Sequence, residues 1–254
     1  MRELKILGLD NIGDVKAGDD IASLIIQKCR EQNFALSDGD VVVISQKIVS
    51  KADGLLIDIT GINPTLRAKR LAKQTKKDPR VLQLILRDSS AILRAAPQAL
   101  IVRRKDGLIC LNAGVDKSNV KGAFIYSRLP PDSNVSANKI LSRLEELSEK
   151  RLAVIIADTY SRPIRVGQVE FAIGVAGMDP IVDYRGQQDM FGYNLRYKYV
   201  ALADEAAAAA ELVMGQGMER TPVAIIRGLD RLKRSLDRNL SRKLLLGRRL
   251  DLFR

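Results

Sequence analysis

Leu152-Ala153-Val154-Ile155-Ile156-Ala157, followed at once by Asp158-Thr159, is the run that decides the fold class. A continuous apolar run of this length reads as a strand buried on both faces. Val41-Val42-Val43-Ile44 is a second such strand, introduced by the turn Ser37-Asp38-Gly39-Asp40. Residues 222–226 give a third and residues 99–102 and 108–111 a hairpin across Asp106-Gly107. Helices lie among them. Asp19-Asp20 precede Ile21, Leu24, Ile25 and Cys29 at helical spacing. Asn63-Pro64 and Asp78-Pro79 each read as an N-cap with proline at the first helical position, the second leading into Val81, Leu82, Ile85 and Ile92. Ala137, Ile140, Leu141, Leu144 and Leu147 form an amphipathic stripe. Asp204-Glu205 open an alanine-rich helix that stops at Met214-Gly215. The fold class expected is α+β, with mixed or antiparallel sheets and flanking helices. A doubly wound dinucleotide fold is not expected, because Gly215-x-Gly217 lacks the third glycine and follows a helix.

Composition narrows the chemistry. The chain has 254 residues and no histidine, which removes Ser-His and Cys-His nucleophiles, His-ligated zinc and the usual general base. Catalysis would run on carboxylates, Lys, Arg, Tyr, backbone amides or a bound metal. The two cysteines, Cys29 and Cys110, stand in apolar contexts and read as buried free thiols. No apolar run approaches a membrane span and the N-terminus has no signal-peptide pattern, so a cytoplasmic, soluble protein is expected. The net charge of +12 suits nucleic acid, anionic lipid or a phosphate-rich substrate.

Two strand-end segments carry the candidate chemistry. Asn112-Ala113-Gly114-Val115-Asp116-Lys117-Ser118-Asn119 follows the strand at residues 108–111, and Asp158-Thr159 follows the run at residues 152–157. Compact carboxylates with amide and hydroxyl neighbours are hard oxygen donors of the kind Mg²⁺ and Mn²⁺ prefer. For the octapeptide in isolation a capped turn is the better reading, since Asp and Asn favour turns for local reasons. Lys51, Asn119, Arg162 and Arg165 add groups that neutralise phosphate charge, the pattern of metal-assisted phosphoryl transfer. Lys47 and Lys51 would share a face on a helix, while the β-branched run between them keeps a strand open. There is no Gly-x-x-x-x-Gly-Lys-Ser/Thr loop.

An ordered series of motifs resembles the coenzyme F420-0:γ-glutamyl ligase family. It comprises Gly39-Asp40-Val41, Gln46-Lys47-Ile48-Val49-Ser50-Lys51-Ala52-Asp53-Gly54, Asn112-Ala113-Gly114-Val115-Asp116-x-Ser118-Asn119 and Asp158-Thr159-x-x-Arg162-Pro163-x-Arg165-x-Gly167. It continues through Ala172-Ile173-Gly174-x-Ala176-Gly177, Asp183-x-Arg185-Gly186-x-x-Asp189, Ala203-Asp204-Glu205 and Glu211-Leu212-Val213-Met214-Gly215, and ends at Ile225-Ile226-Arg227-Gly228-Leu229. The resemblance implies addition of L-glutamate to the lactyl carboxylate of a phosphorylated deazaflavin, with GTP as co-substrate and two divalent ions, Mg²⁺ or Mn²⁺, K⁺ being a further candidate. It implies Asp116 and Asp158 as metal ligands, with Thr159 and Gln216 on the second ion. Asp116, Asp158, Lys51 and Arg162 become the catalytic candidates. The implied nucleotide contacts are Ile12, Gly13, Asp14, Val15, Gln46, Lys47, Lys51 and Asn119. The loop Met214, Gly215, Gln216, Gly217, Met218, Glu219, Arg220 and Thr221 joins them. The chain departs from the family at Gln216, where a glutamate is usual, so a negative charge is missing from the second metal's ligands.

The family also implies two interlocked lobes, whose boundary the sequence does not assign, and an intertwined homodimer. Residues 1–229 are read as the ligase domain and residues 230–254 as a basic helical tail. From Gly228 onward there are nine Lys or Arg against three Asp. Leu229, Leu232, Leu236, Leu240 and Leu244 recur at three or four residues, which predicts a helix docked by one apolar stripe. Two rival readings are a ligase of the same fold acting on another carboxylate, and a basic protein that binds nucleic acid non-specifically. No membrane partner and no specific nucleic acid are expected.

Overall fold

The computed structural model describes residues 1–161 and 165–247. Arg162 and the end of the basic tail therefore lie outside the described residues. In chain order the elements begin with β1 (Lys5–Gly8), α1 (Ile21–Glu31), β2 (Val41–Ser45), α2 (Gln46–Ala52), β3 (Leu56–Asp58), α3 (Leu66–Thr75) and α4 (Pro79–Asp88). There follow β4 (Ser89–Ala96), β5 (Ala99–Arg104), β6 (Ile109–Leu111), β7 (Ile125–Ser127) and α5 (Ser133–Ser148). The last are β8 (Ala153–Ser161), β9 (Gln168–Met178), β10 (Val182–Asp183), β11 (Tyr199–Val200), α6 (Leu202–Met214), β12 (Val223–Arg227) and β13 (Arg234–Ser235). This is an α+β fold. No helix among the described residues is long and apolar enough to cross a membrane.

The chain divides into two compact units, the first built from residues 1–13, 21–45 and 134–254, the second from residues 14–20 and 46–133. The first unit holds a mixed six-stranded sheet in the order β1-β12-β2-β8-β9-β13. Its one parallel pair joins the two apolar runs, with Val41 opposite Ala153 and Ser45 opposite Ala157. Both runs are fully buried, so they need no polar alternation. Val41, Val43, Ala153, Ile155, Ala157, Ala224 and Ile226 form a core cluster with Ala203, Ala206, Ala207, Ala210 and Met214 of α6. The run of alanines lets that helix lie close against the strands.

The second unit pairs a three-stranded antiparallel sheet, β4-β5-β6, with the ladder β3-β7. Its core joins Val81, Leu82, Leu84 and Ile85 of α4 to Leu100 and Val102 of β5 and to Ala113 and Val115 beyond β6. The Lys47–Lys51 ambiguity resolves in favour of a helix, α2.

Several expectations are corrected. α3 starts after Thr65, not at Asn63-Pro64, because the Thr65 hydroxyl accepts from Ala68 N at 3.3 Å and caps the first turn. Asp78 does cap α4, accepting from Arg80 N at 2.8 Å, but the helix ends at Asp88 and Ile92 belongs to β4. The ladder between β4 and β5 outweighs the helical spacing of Ile92. β8 runs on to Ser161, so Asp158 and Thr159 lie inside a strand instead of after it. Pairing with β9, resumed after a bulge between Ile156 and Ala157, carries it there.

The tail is not a single helix over its described part. Arg234 and Ser235 add β13 to β9, and residues 240–244 form one 3-10 turn. Leu240 is fully buried in the first unit's core, with Leu229, Leu232 and Leu244 packed against it, whereas Leu236 is 86% exposed. Asn134 Oδ1 accepts from Ser241 N at 3.0 Å and fixes the turn. The tail is therefore docked by strand pairing and one inserted leucine. Leu240→Ala is expected to lower unfolding free energy by at least about 2 kcal/mol in urea. A change near zero would mean that the tail contributes nothing to the fold.

Both cysteines are free and buried. Burial, and secondarily the Asp40 charge, pushes the Cys29 thiol up to about 11. Cys29 is accordingly expected to resist a thiol reagent at pH 8 in the native protein and to react fully in denaturant. Rapid native labelling at Cys29 would contradict this burial.

Candidate functional site

In the second unit α2 begins where β2 ends, and it carries Lys47 and Lys51, only 12% and 15% exposed. Each ammonium meets a carboxylate. Lys47 Nζ donates to Asp116 Oδ2 at 2.5 Å and to Ser127 Oγ at 3.0 Å. Lys51 Nζ donates to Asp14 Oδ1 at 2.8 Å, and that hydrogen bond and charge hold the Asp14 carboxyl below its ordinary range. The structure thus brings Asp14 of the Ile12–Val15 turn to Lys51, two positions with no sequence proximity. Gln46 is buried and accepts from Ser50 Oγ at 3.0 Å.

Asp116 is held by its backbone. Its N–H donates to Ser127 O at 3.1 Å and its carbonyl accepts from Ser127 N at 2.9 Å. The turn before it runs through Asn112, Ala113 and Gly114, all at positive φ, and a Cβ on Gly114 would sit 2.3 Å from Leu129. Arg104, almost fully buried, locks the turn by donating to Ala113 O at 3.0 Å and Pro130 O at 2.7 Å. Asp116 Oδ1 accepts from Lys117 N and Ser118 N at 2.7 and 3.1 Å, and Oδ2 also accepts from Ser118 Oγ. Burial pushes this carboxyl up, but the Lys47 and Ser118 hydrogen bonds and the Lys47 charge outweigh it, so it titrates below its usual range. The turn cap and the charged site coexist on one side chain. Asn119 follows, exposed, at a φ of 53°.

The first unit gathers a second cluster. Thr159 of β8 stands directly opposite Glu170 of β9. The Thr159 hydroxyl lies 2.7 Å from Glu170 Oε1 and 3.0 Å from Gln216 Oε1, and Gln216 Nε2 donates to Glu170 Oε1 at 2.9 Å. The hydroxyl can donate to only one of the two oxygens at a time; with Nε2 on Glu170 Oε1 it can serve Gln216 Oε1. Glu170 Oε2 is buried and has no hydrogen-bond partner among the described residues. Burial above all, with the Glu211 charge, pushes the Glu170 carboxyl up against the pull of Thr159 and Gln216. Asp158, on the preceding rung, is half-buried opposite Phe171.

Gly215 ends α6 at a φ of 66°, and the loop beyond curls so that Glu219 Oε2 accepts from Gly217 N at 2.7 Å. Arg220 O accepts from Asn11 N at 3.0 Å, and Thr221 Oγ1 donates to Asp10 Oδ1 at 2.7 Å. Those bonds bring the segment ending at Ile12 and Gly13 to the Met214–Thr221 loop. Within that loop Met214 and Thr221 are buried and Met218 is exposed.

The predicted residues therefore fall into two groups, Asp14, Gln46, Lys47, Lys51, Asp116 and Asn119 in the second unit, and Asp158, Thr159 and the loop at Gln216 in the first. Sequence reading missed Glu170, Asp10, Ser127 and Arg104. Glu170 gave no signal, because it alternates with Val169 and Phe171 as an outward-facing residue would.

A family model described as F420-0:Gamma-glutamyl ligase matches residues 11–228. The chain belongs to that family. It is 44% identical to the coenzyme F420:L-glutamate ligase of Methanothermobacter thermautotrophicus over 99% of both chains. The ligase of the same name from Methanopyrus kandleri is 42% identical over 94% of this chain and 93% of its own. That from Methanocaldococcus jannaschii is 41% identical over 89% and 88%.

The oxygens of the Thr159 cluster, with Glu170 Oε2 buried and unpartnered among the described residues, fit a hard divalent cation. At Asp116 the Lys47 ammonium already occupies Oδ2, so a metal there would exchange one cation for another.

Proposed function

We propose that the protein is the GTP-dependent ligase that joins L-glutamate to the lactyl carboxylate of coenzyme F420-0 through an acyl phosphate. The observation that carries this reading is identity of 44% along essentially whole chains with a protein named coenzyme F420:L-glutamate ligase. The two clusters supply matching chemistry. The F420-0 carboxylate takes the γ-phosphoryl group of GTP and releases GDP. The amine of glutamate then attacks the acyl carbon, phosphate leaves, and a proton is lost from the nitrogen. Lys47 and Lys51, each pre-aimed by a carboxylate, would neutralise charge on the transferring phosphoryl group. Asn119, Gln46, the Ile12–Val15 turn and the Met214–Thr221 loop would bind the nucleotide. Asp116, Asp158, Thr159 and Gln216 would hold divalent ions, Mg²⁺ or Mn²⁺, which when bound offset phosphate charge. Arg162 remains a catalytic candidate on the resemblance alone.

Mass spectrometry of the product from F420-0, glutamate and GTP with Mg²⁺ or Mn²⁺ tests the activity. A mass increase of one or more glutamyl residues supports it. No incorporation with either metal rejects it. A homodimer belongs to the same proposal. The β10–β11 segment supports it by exposing Met190, Phe191 and Tyr197 at 86–88%, an apolar surface of the kind that a second copy covers. Sedimentation equilibrium at twice the chain mass is the expected result.

A further inference from the structure

We propose that Glu170 is the carboxylate of a divalent-cation site completed by Thr159 and Gln216, restoring the charge that Gln216 leaves out. This rests on the ligase reading for what the ion is used for, not for whether it binds.

Glu170 is 6% exposed, yet Oε2 is buried with no partner among the described residues. A buried carboxylate oxygen left without a donor is costly and calls for a compensating group. Its neighbours do not provide one. Thr159 Oγ1, Glu170 Oε1 and Gln216 Oε1 lie together within 2.7–3.0 Å contacts; Gln216 Nε2 serves Glu170 Oε1 and the Thr159 hydroxyl serves one of the two acceptors, so neither reaches Oε2. A small cation satisfies such a set where a further hydrogen bond cannot, because it takes several oxygens at once. The backbone fixes the arrangement. Thr159 and Glu170 are cross-strand partners in the β8–β9 ladder, and Gln216 follows the stop of α6 at Gly215. Its Nε2 donates to Glu170 at 2.9 Å, which turns its Oε1 toward Thr159.

The neutral Gln216 then has a reason. A glutamate at that position would place a second carboxylate against Glu170. In this arrangement Glu170 supplies the negative charge from the strand and Gln216 a neutral oxygen from the loop.

The test is Mn²⁺ alone, titrated into the full chain and followed by loss of the free-ion electron paramagnetic resonance signal. A parallel thermal melt is run in the same Mn²⁺ series. Glu170→Gln is close to isosteric and can keep both hydrogen bonds at its Oε1. It is expected to weaken one class of Mn²⁺ binding by at least about tenfold, as losses even around a metal's ligands do. It should also remove the matching Mn²⁺-dependent rise in melting temperature. The exchange variant Glu170→Gln, Gln216→Glu restores the charge and should recover most of the lost affinity. Equal Mn²⁺ binding by the parent and Glu170→Gln, or no Mn²⁺ binding by the parent, overturns the proposal. If Glu170→Gln loses Mn²⁺ while the parent fails to incorporate glutamate, the cation site stands and the ligase reading falls.

Discussion

The Asp116→Asn variant is expected to turn over at least about 10²-fold more slowly than the parent, the loss that follows removal of one preorganised electrostatic contact. Asparagine is nearly the same shape. Its side-chain oxygen can still accept from Lys117 N and Ser118 N, so the turn keeps its cap. What disappears is the charge facing Lys47 Nζ at 2.5 Å. Lys47 is 12% exposed, so no water layer replaces that partner. The ammonium that the proposed reaction needs against a phosphoryl group then loses the carboxylate that aims it, while its bond to Ser127 Oγ stays. A thermal melt run with the kinetics separates misfolding from lost chemistry. The Lys47→Met, Asp116→Asn double variant removes the ammonium as well and should be no slower than the worse single variant, because residues acting as a unit are not additive. Near-parent turnover of Asp116→Asn would reduce the octapeptide to a capped turn.

The parts of the fold legible in the sequence are those fixed by local pattern. Val41–Ile44 and Leu152–Ala157 read as buried strands because nothing polar interrupts them. Their parallel pairing does not, since it depends on a chain path through the whole second unit. That path also explains why no linker announces the two units. The chain passes from one to the other after Gly13 in the loop beyond β1, after Asp20 just before α1, after Ser45 at the end of β2 and after Ser133 at the start of α5, not in Gly/Ser-rich stretches. The tail misled for a related reason. Leucines at three- and four-residue spacing fit a helix, but an open edge at β9 offered Arg234 and Ser235 a ladder.

The candidate site divides in the same way. Lys47, Lys51, Asp116 and Thr159 are polar residues next to strongly patterned elements, and the motif series picks them out; Gln216 follows the motif that ends at Gly215 and stands out as a departure. Their partners are set by register. Glu170 meets Thr159 only because the β8–β9 ladder continues past a bulge, and one residue of slip would face it elsewhere. Arg104 reads as a surface hairpin residue, and becomes visible only once the carbonyls of Ala113 and Pro130 converge on it.

Arg227→Met is expected to lower unfolding free energy by about 3–5 kcal/mol, the cost of leaving a buried carboxylate without its partner. Ile226 pairs with Val41 in the β12–β2 ladder, which puts Arg227 level with Asp40. Asp40 is fully buried, and the guanidinium meets it through two bonds, Nε to Oδ1 at 2.8 Å and Nη2 to Oδ2 at 2.7 Å. Nη2 also donates to Ala35 O at 2.7 Å, and the group lies 4.6 Å over the Phe34 ring. With methionine, Asp40 keeps only the Ser37 N–H, at 2.8 Å. At about 2–4 °C per kcal/mol for a chain of this size, the melting temperature should fall on the order of 10 °C. Arg227→Lys keeps the charge without the paired geometry and should fall between. Asp40→Asn combined with Arg227→Met removes the stranded charge and should regain part of the loss. Arg227 belongs to the motif Ile225-Ile226-Arg227-Gly228-Leu229, so its presence there invites a catalytic role. Its bonds assign it to holding β12 on β2 instead, and glutamate turnover per folded molecule should survive Arg227→Met at 25 °C. A loss below about 1 kcal/mol, or a collapse of turnover in protein shown to be folded, would reverse that assignment.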